Sequence, residues 1–278
     1  MRKKVVERVT PETLEDFLAI NTTVESSKSL NNRIENQSLT FDQMYILRSK
    51  DSTEAAFIVS PAPVVVPRIK FDISDDSMKF LAEELYKLLK DEDKILIIDS
   101  NLAPMNSNYF VNLGWKINDH SKIYETDLKN GSWKLDNAVE ERKSSDLLSE
   151  DMFNLYEKLL TEDDFLGDTY TRDPREAFGQ DALNDDVRLF VLIRDEEIIA
   201  AATMVSNPHQ RIGIHLIGVL PSMRKDGLGQ LIHSHVLAEG KKQNEFHVGG
   251  TNINNAAMHR IYLKNGAVMK AEHIQMTL

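Results

Sequence analysis

The chain contains no cysteine. Disulfides, thiolate metal sites and a cysteine nucleophile are excluded together, and so is an acyl-thioester intermediate carried on the protein. Apolar runs never approach the roughly 18 residues that span a bilayer, so no membrane partner is expected. The basic start, Met1-Arg2-Lys3-Lys4-Val5-Val6-Glu7, lacks the apolar stretch of a signal peptide, and a cytoplasmic location is the expectation. Positive charge is scarce: 33 Lys and Arg face 44 Asp and Glu, a net charge of -11, which argues against nucleic acid as a partner. Glycine is missing from the first part of the chain, all 12 lying at or beyond Gly114. No glycine-dependent ligand loop can form before that point.

What is present fits a globular protein. Apolar residues make up 41% and charged residues 28% of 278 positions, enough for a sizeable core. At about 150 residues per domain the length suggests two domains, expected as 1–130 and 131–278. In the first, Val5–Val9 reads as a strand and Thr10-Pro11 opens a helix through Ile20. Met44–Arg48, Ala55–Val59 and Val64–Phe71 read as strands. Asp75–Leu89 is an amphipathic helix with Met78, Leu81, Leu85 and Leu88 on one face. Lys94–Asp99 is a buried strand, Tyr109–Gly114 ends a short helix, and Ile117–Leu128 supplies two final strands.

The second half repeats this order. Asp146–Leu160 is a helix with Leu148, Met152, Leu155, Tyr156 and Leu159 along its stripe, and a further helical segment lies within Asp173–Leu183. Val187–Arg194 and Ile198–Val205 form a hairpin turning at Asp195-Glu196-Glu197. Arg211–Leu220 is a strand, Gly229–Lys242 a helix, Glu245–Thr251 a strand and Asn255–Asn265 a helix, with strand-like Val268–Leu278 at the end. The fold class expected is α/β, two tandem domains that each flank a twisted mixed sheet with helices.

One segment carries chemistry. A strand runs into Val219-Leu220-Pro221, followed by Arg224-x-x-Gly227-x-Gly229 and an amphipathic helix. Glycines let backbone N–H groups turn inward, the helix N-terminus adds partial positive charge, and Arg224 and Lys225 add full charges. A pyrophosphate suits such a site; a tight strand–helix turn is the alternative. A dinucleotide fingerprint would need glycine where Ile232 stands, and a nucleoside-triphosphate loop would need the absent Gly-Lys-Ser/Thr.

Val219-x-Pro221-x-x-Arg224-x-x-Gly227-x-Gly229 resembles the acyl-CoA pyrophosphate loop of the GNAT superfamily of N-acetyltransferases. A strand Phe246–Gly250 follows, and then Asn255-Ala-Ala-Met258-His-Arg-Ile261-Tyr262-Leu-Lys-Asn-Gly266, which is similar to the family's Asn-x-x-Ala-x-x-Leu-Tyr-x-x-x-Gly-Phe helix. Met258 and Ala267 replace its usual alanine and phenylalanine. Thr251-Asn252 and Met258 resemble two-domain, mycothiol-synthase-like members. The resemblance covers about Asp146–Leu278.

That resemblance implies roles. The backbone of Arg224, Lys225, Asp226, Gly227, Leu228 and Gly229 would hold the pyrophosphate of acetyl-CoA. The main chain of Val219, with Gly218 and Leu220, would pair with the pantetheine arm, and the Val219 N–H would polarise the acyl carbonyl. Asn255 would contact the cofactor from the far side. Tyr262 would protonate the departing thiolate; the alternative is a core aromatic packed with Met258 and Ile261. The strand Arg211–Leu220 carries no acidic base, so His215 is the candidate for taking the ammonium proton, with His247 the other. A packed strand histidine remains the alternative. His233 and His235 do not share a helix face, and no metal site is expected.

The implied reaction is direct acetyl transfer to a primary amine, most simply that of a small molecule. Glu150, Asp151, Glu157, Glu162, Asp163, Asp164, Asp168, Asp173, Glu176, Asp181, Asp185 and Asp186, against Lys158, Arg172 and Arg175, would draw a cationic acceptor or form a solvated surface. A non-catalytic acyl-CoA-binding or sensing module and acetylation of a protein amine are the rival readings. Monomer and homodimer are both compatible. In the first half the matching loop, Arg68–Met78, has no glycine and carries Asp72, Asp75 and Asp76, and Phe110 echoes Tyr262 without the hydroxyl. That domain is expected to keep the fold without binding the cofactor.

Overall fold

The computed structural model describes residues 4–20, 24–49, 52–99, 107–143, 149–160, 187–207 and 210–278. The chain divides into two compact units, Met1–His120 with Ala271–Leu278, and Ser121–Lys270. The division therefore falls ten residues before the boundary expected from the sequence, and the last eight residues join the first unit.

The first unit runs β1 (Lys4–Arg8), α1 (Leu14–Ala19), α2 (Val24–Glu35), β2 (Met44–Ser49), β3 (Ser52–Ile58), β4 (Val64–Val65), β5 (Arg68–Ile69), α3 (Asp75–Leu89), β6 (Ile95–Asp99) and α4 (Asn108–Val111). Strands β1, β2, β3 and β5 form one antiparallel sheet, with Val6 opposite Leu47 and Ala55 opposite Ile69. The single strand expected over Val64–Phe71 is two short ones. Val64–Val65 pairs in parallel with β6, whereas Arg68–Ile69 pairs with β3. Pro67 stands between them; it has no N–H to give to a ladder and fixes its own φ, so the strand breaks there. The C-terminal strand Val268–Thr277 lies antiparallel to β6, with Ile274 opposite Ile98.

Helix α3 has the bounds its periodicity predicts. Ser74 caps it, its Oγ accepting from the Ser77 N–H at 3.2 Å, and Met78, Leu81, Leu85 and Leu89 are buried. These pack with Phe57, Leu96, Ile98, Phe110 and Trp115.

The second unit contains the rest: β7 (Lys116–Asp127) from Ser121 on, β8 (Val139–Lys143), α5 (Ser149–Leu160), β9 (Val187–Arg194), β10 (Glu197–Asn207), β11 (Arg211–Val219), α6 (Leu228–Gly240), β12 (Phe246–Asn252), α7 (Ala256–Lys264) and the first three residues of β13, the strand Val268–Thr277 already met. Its strand order is β7-β12-β11-β10-β9-β8. Ile117–Leu128 is one long strand, β7, rather than two, because Ser121–Asp127 pairs without interruption along β12. The hairpin between β9 and β10 turns at Asp195 and Glu196, both at positive φ (51° and 64°), as a two-residue turn of that hand requires.

Among the described residues of this order, β11 pairs in parallel with β12, at Arg211–Phe246 and Ile212–His247. Beyond that point β12 stays on β7 as far as Asn252–Ser121, while β11 stays on β10 as far as Val219–Ala200. The core between sheet and helices is built from Leu189, Val191, Ala200, Ala202, Ile232 and Val236. The helical segment expected within Asp173–Leu183 lies outside the described residues, as do Leu148 and the side chains of Met152 and Tyr156.

Candidate active site

The loop after β11 is positioned by hydrogen bonds at both ends. The Leu220 N–H donates to Ile199 O at 2.9 Å. In an antiparallel ladder, alternate residues turn their amides to the same neighbour, so Gly218 and Leu220 both face β10. This corrects the expectation that their main chains are available to a pantetheine arm; of the three, Val219 alone turns its N–H away from β10. Gly218 has a different job: a Cβ there would come to 2.8 Å from the Leu159 Cβ, so its bareness lets α5 cross the end of β11.

Arg224 is a brace. Its Nε donates to Val219 O and its Nη2 to Leu159 O, each at 3.1 Å. The guanidinium expected to add charge to an anion site thus faces two carbonyls. Lys225 and Gly227 both lie at positive φ (78° and 82°), and Gly227 is the N-cap of α6. Nothing would touch a Cβ on Gly227, so its φ, not space, is what calls for glycine. Gly229 is the reverse case, where a Cβ would meet the Ile261 Cδ1 at 3.1 Å. The first bond of α6 closes from Leu231 N–H to Gly227 O. The amides of Leu228, Gly229 and Gln230 therefore have no acceptor inside the helix.

These features border a cavity of about 710 Å³. It brings together Gly218, Val219, Arg224, Lys225, Gly227, Leu228, Gly229 and Asn255. Arg260 and Lys264, which the sequence reading did not single out, line it from α7; their i, i+4 spacing was the available signal. Asn255 caps that helix, its Oδ1 accepting from the Met258 N–H at 3.0 Å. Four expected residues are not in the lining: Leu220, Asp226, His215 and Tyr262. Asp226 is exposed on the loop. His215 is exposed on β11 next to Gly213, at the bulge where Thr203 pairs with Leu216 and Met204 with Ile214.

Tyr262 is buried behind the cavity wall, 2% exposed. Its ring stacks on Tyr124 at 4.7 Å and meets His233 edge-on at 5.4 Å. The hydroxyl donates to Gly250 O at a long 3.4 Å. Burial, and then the nearby Tyr124, push its ionisation well above the ordinary phenol value. Two fully buried histidines complete this layer. His247 is held at about 4 by burial, and His233 far below its usual value by burial and then by His247. Both imidazoles are neutral at physiological pH. His235 is apart from them, accepting the Asp136 N–H at 3.0 Å, and no group able to hold a metal ion occurs among the described residues.

The sequence did not bring His233 and His247 together. Gly249-Gly250 within a strand was the signal, since a bare strand position marks a close approach. Of the charged residues expected to draw an acceptor, Glu150, Asp151 and Glu157 are exposed along α5, and Lys158 pairs with Glu197. Glu162, Asp163, Asp164, Asp168, Arg172, Asp173, Arg175, Glu176, Asp181, Asp185 and Asp186 lie outside the described residues.

Residues 150–267 match the model of the acetyltransferase (GNAT) family. No curated protein matches the sequence. Among solved structures, the chain is similar to a GCN5-related N-acetyltransferase from Sphaerobacter thermophilus, with a TM-score of 0.65 at 10% identity, covering 98% of this chain and 94% of that one. It is also similar to a tandem GNAT protein from the clavulanic acid biosynthesis pathway (TM-score 0.52, 10% identity, 99% and 98% covered). A GNAT-family acetyltransferase from Colwellia psychrerythraea gives 0.54 at 9% identity, with 98% of each chain covered. At such identities the likeness is one of fold. Residues 150–267 thus match the acetyltransferase (GNAT) family model, on a chain with the fold of GNAT proteins, tandem members among them.

Proposed function

We propose that the unit Ser121–Lys270 transfers an acetyl group from acetyl-CoA directly to a primary amine, that of a small molecule. The observation that carries this is the loop geometry. Gly227 at φ 82° opens α6 onto the cavity, presenting amides that have no acceptor in the helix, with Lys225, Arg260 and Lys264 around the rim. Backbone donors, a helix N-terminus and three cations suit a pyrophosphate carrying further phosphate. The bare positions at Gly227 and Gly229 leave the main chain open to close approach.

Bound acetyl-CoA supplies the acyl group and a thiol leaving group. The backbone of Lys225, Asp226, Gly227, Leu228, Gly229 and Gln230 holds its pyrophosphate, Arg224 keeping the loop in shape. Val219 N–H, turned away from β10, is the donor for the acyl oxygen, and Asn255 borders the arm. Tyr262 Oη gives a proton to the departing sulfur. His215, exposed on β11, takes the ammonium proton through water. With no cysteine in the chain, the amine and the thioester react in one ternary complex. The exposed carboxylates of α5 favour a cationic acceptor. In the first unit Ser74 occupies the N-terminus of α3 with Asp75 and Asp76 in its first turn, an arrangement that repels a phosphate, so that unit binds no cofactor in this reading.

One observation favours a second reading, a module that binds acyl-CoA without chemistry: Tyr262 is buried and absent from the cavity lining. Thiol release from acetyl-CoA, followed with an arylalkylamine, a polyamine, an aminosugar and a lysine peptide, separates the two. Transfer predicts release with at least one amine and a loss of about 100-fold in kcat on Tyr262→Phe with cofactor affinity kept. Tight binding without release across all four amines would support the binding module instead.

A further inference from the structure

The layer behind the cavity contains more polar chemistry than packing needs. His247 Nε2 and His233 Nε2 are both buried with no hydrogen-bond partner among the described residues. Orphaned buried imidazole nitrogens are costly and call for a reason. Their opposite nitrogens are engaged. Asn265 Nδ2, which can only donate, lies 2.6 Å from His233 Nδ1, so neutral His233 carries its proton on Nε2. That amide is oriented by Gln230, whose Nε2 donates to Asn265 Oδ1 at 2.6 Å. His247 Nδ1 is 3.3 Å from Thr126 Oγ1; when that hydroxyl donates, His247 too presents an Nε2–H.

The two imidazoles and Tyr262 share one enclosure. His233 meets His247 edge-on at 5.3 Å and Tyr262 edge-on at 5.4 Å, while His247 lies along Tyr262 at 5.9 Å with 21° between planes. Gly249 locates their polar ends. A Cβ on Gly249 would overlap Tyr262 Oη and would lie 3.2 Å from His247 Nε2. The phenol oxygen and this imidazole nitrogen thus border the same small space, which only a glycine leaves open. The groups facing it are His247 from β12, Tyr124 from β7, His233 from α6, and Tyr262 itself from α7.

We propose that His247 is a positioning residue for the Tyr262 acid: its Nε2–H, set by Thr126 on Nδ1, is the donor that the Tyr262 oxygen accepts once the hydroxyl has given up its proton. This rests on the reading of Tyr262 as the acid. The resting contact of that hydroxyl, to Gly250 O, is an acceptor and does nothing for a phenolate. A phenol enclosed in this way can lose its proton only if a donor meets the anion. A neutral imidazole does so without bringing a buried charge.

The test is a double-mutant cycle on the intact protein, reading thiol release with the fastest of the four amines and acetyl-CoA affinity by calorimetry. Thr126→Val should lower kcat roughly tenfold with affinity within about twofold, and Thr126→Ser should restore it. In a Tyr262→Phe background Thr126→Val should have no further effect. Nitrogen-15 spectra of histidine-labelled protein should show His247 protonated on Nε2 from about pH 6 to 9, and the preference should weaken in Thr126→Val. The proposal is overturned if Thr126→Val lowers kcat equally in both backgrounds, which is a packing effect, or if it leaves kcat unchanged, or if Nε2 is unprotonated. If Tyr262→Phe alone leaves kcat intact, the acid reading fails first and takes this proposal with it.

Discussion

A methyl group on Gly249 would overlap the hydroxyl oxygen of Tyr262. The strand residue and the helix residue are thus fitted to each other, and the fit decides where the phenol oxygen stands: beside β12, with Gly250 O as its acceptor.

Gly249→Ala should therefore displace the ring. The surrounding layer of Tyr124, Met258 and Ala267 is buried and has little room to give, so a cost of about 1–3 kcal/mol in stability is expected. Thermal unfolding measures that part. Thiol release should fall much more than acetyl-CoA affinity, because the pyrophosphate loop is untouched. Equal losses in both would mean that the substitution acts on the fold rather than on Tyr262.

Arg224 and the α7 cations should separate by salt dependence. Arg224→Ala removes two bonds to carbonyls and should loosen the loop, weakening acetyl-CoA binding about equally at low and high salt. Arg260→Glu with Lys264→Glu reverses exposed charges at the cavity rim, and should weaken binding steeply at low salt and far less at high salt. Calorimetric titration at two salt concentrations decides. A salt-independent loss in the charge-reversed variant would place those cations outside the cofactor's reach.

Stability should depend on the buried imidazoles. An unfolded histidine titrates at about 6.5, whereas burial holds His247 at about 4. As pH falls between these values the unfolded chain takes up a proton that the folded chain refuses. The contribution of His247 is therefore fully present above about pH 6.5 and is lost on going down towards pH 4, by about 3 kcal/mol. His233 acts with the same sign. Urea unfolding at about pH 7 and pH 5 should show this slope in the intact protein and a shallower one in His247→Phe. Parallel slopes would contradict it.

How much of this was readable in sequence depended on which residues had to meet. Helix Asp75–Leu89 and strand Val187–Arg194 occur with the bounds read from periodicity, because one apolar face or one continuous apolar run settles each locally. Gly227 and Gly229 were equally legible, as punctuation between a strand and a helix. Strand Val139–Lys143 was not, since Val-Glu-Glu-Arg-Lys carries no strand signal of its own. It forms by pairing with β9, where Arg188 bonds Glu141 through both Nε and Nη2. Helix Val24–Glu35 had no readable bounds for a similar reason, its largely polar sequence offering Leu30 and Ile34 to the core. The layer of Thr126, His233, His247, Tyr262 and Asn265 draws on four elements and the turn after α7. Its one local trace is the bare pair Gly249-Gly250 within a strand, and the role of Arg224 as a brace depends on Leu159, 65 residues away.

The central claim is that one loop, in the second unit, holds acyl-CoA. Calorimetric titration of acetyl-CoA into the intact protein, beside the Arg224→Ala, Gly227→Trp double variant, tests it most directly. The account predicts one equivalent bound per chain and no binding in the variant, since tryptophan at φ 82° disrupts the loop and Arg224 no longer braces it. Two equivalents, or binding that survives the double substitution, would contradict it, as would no binding by the intact protein.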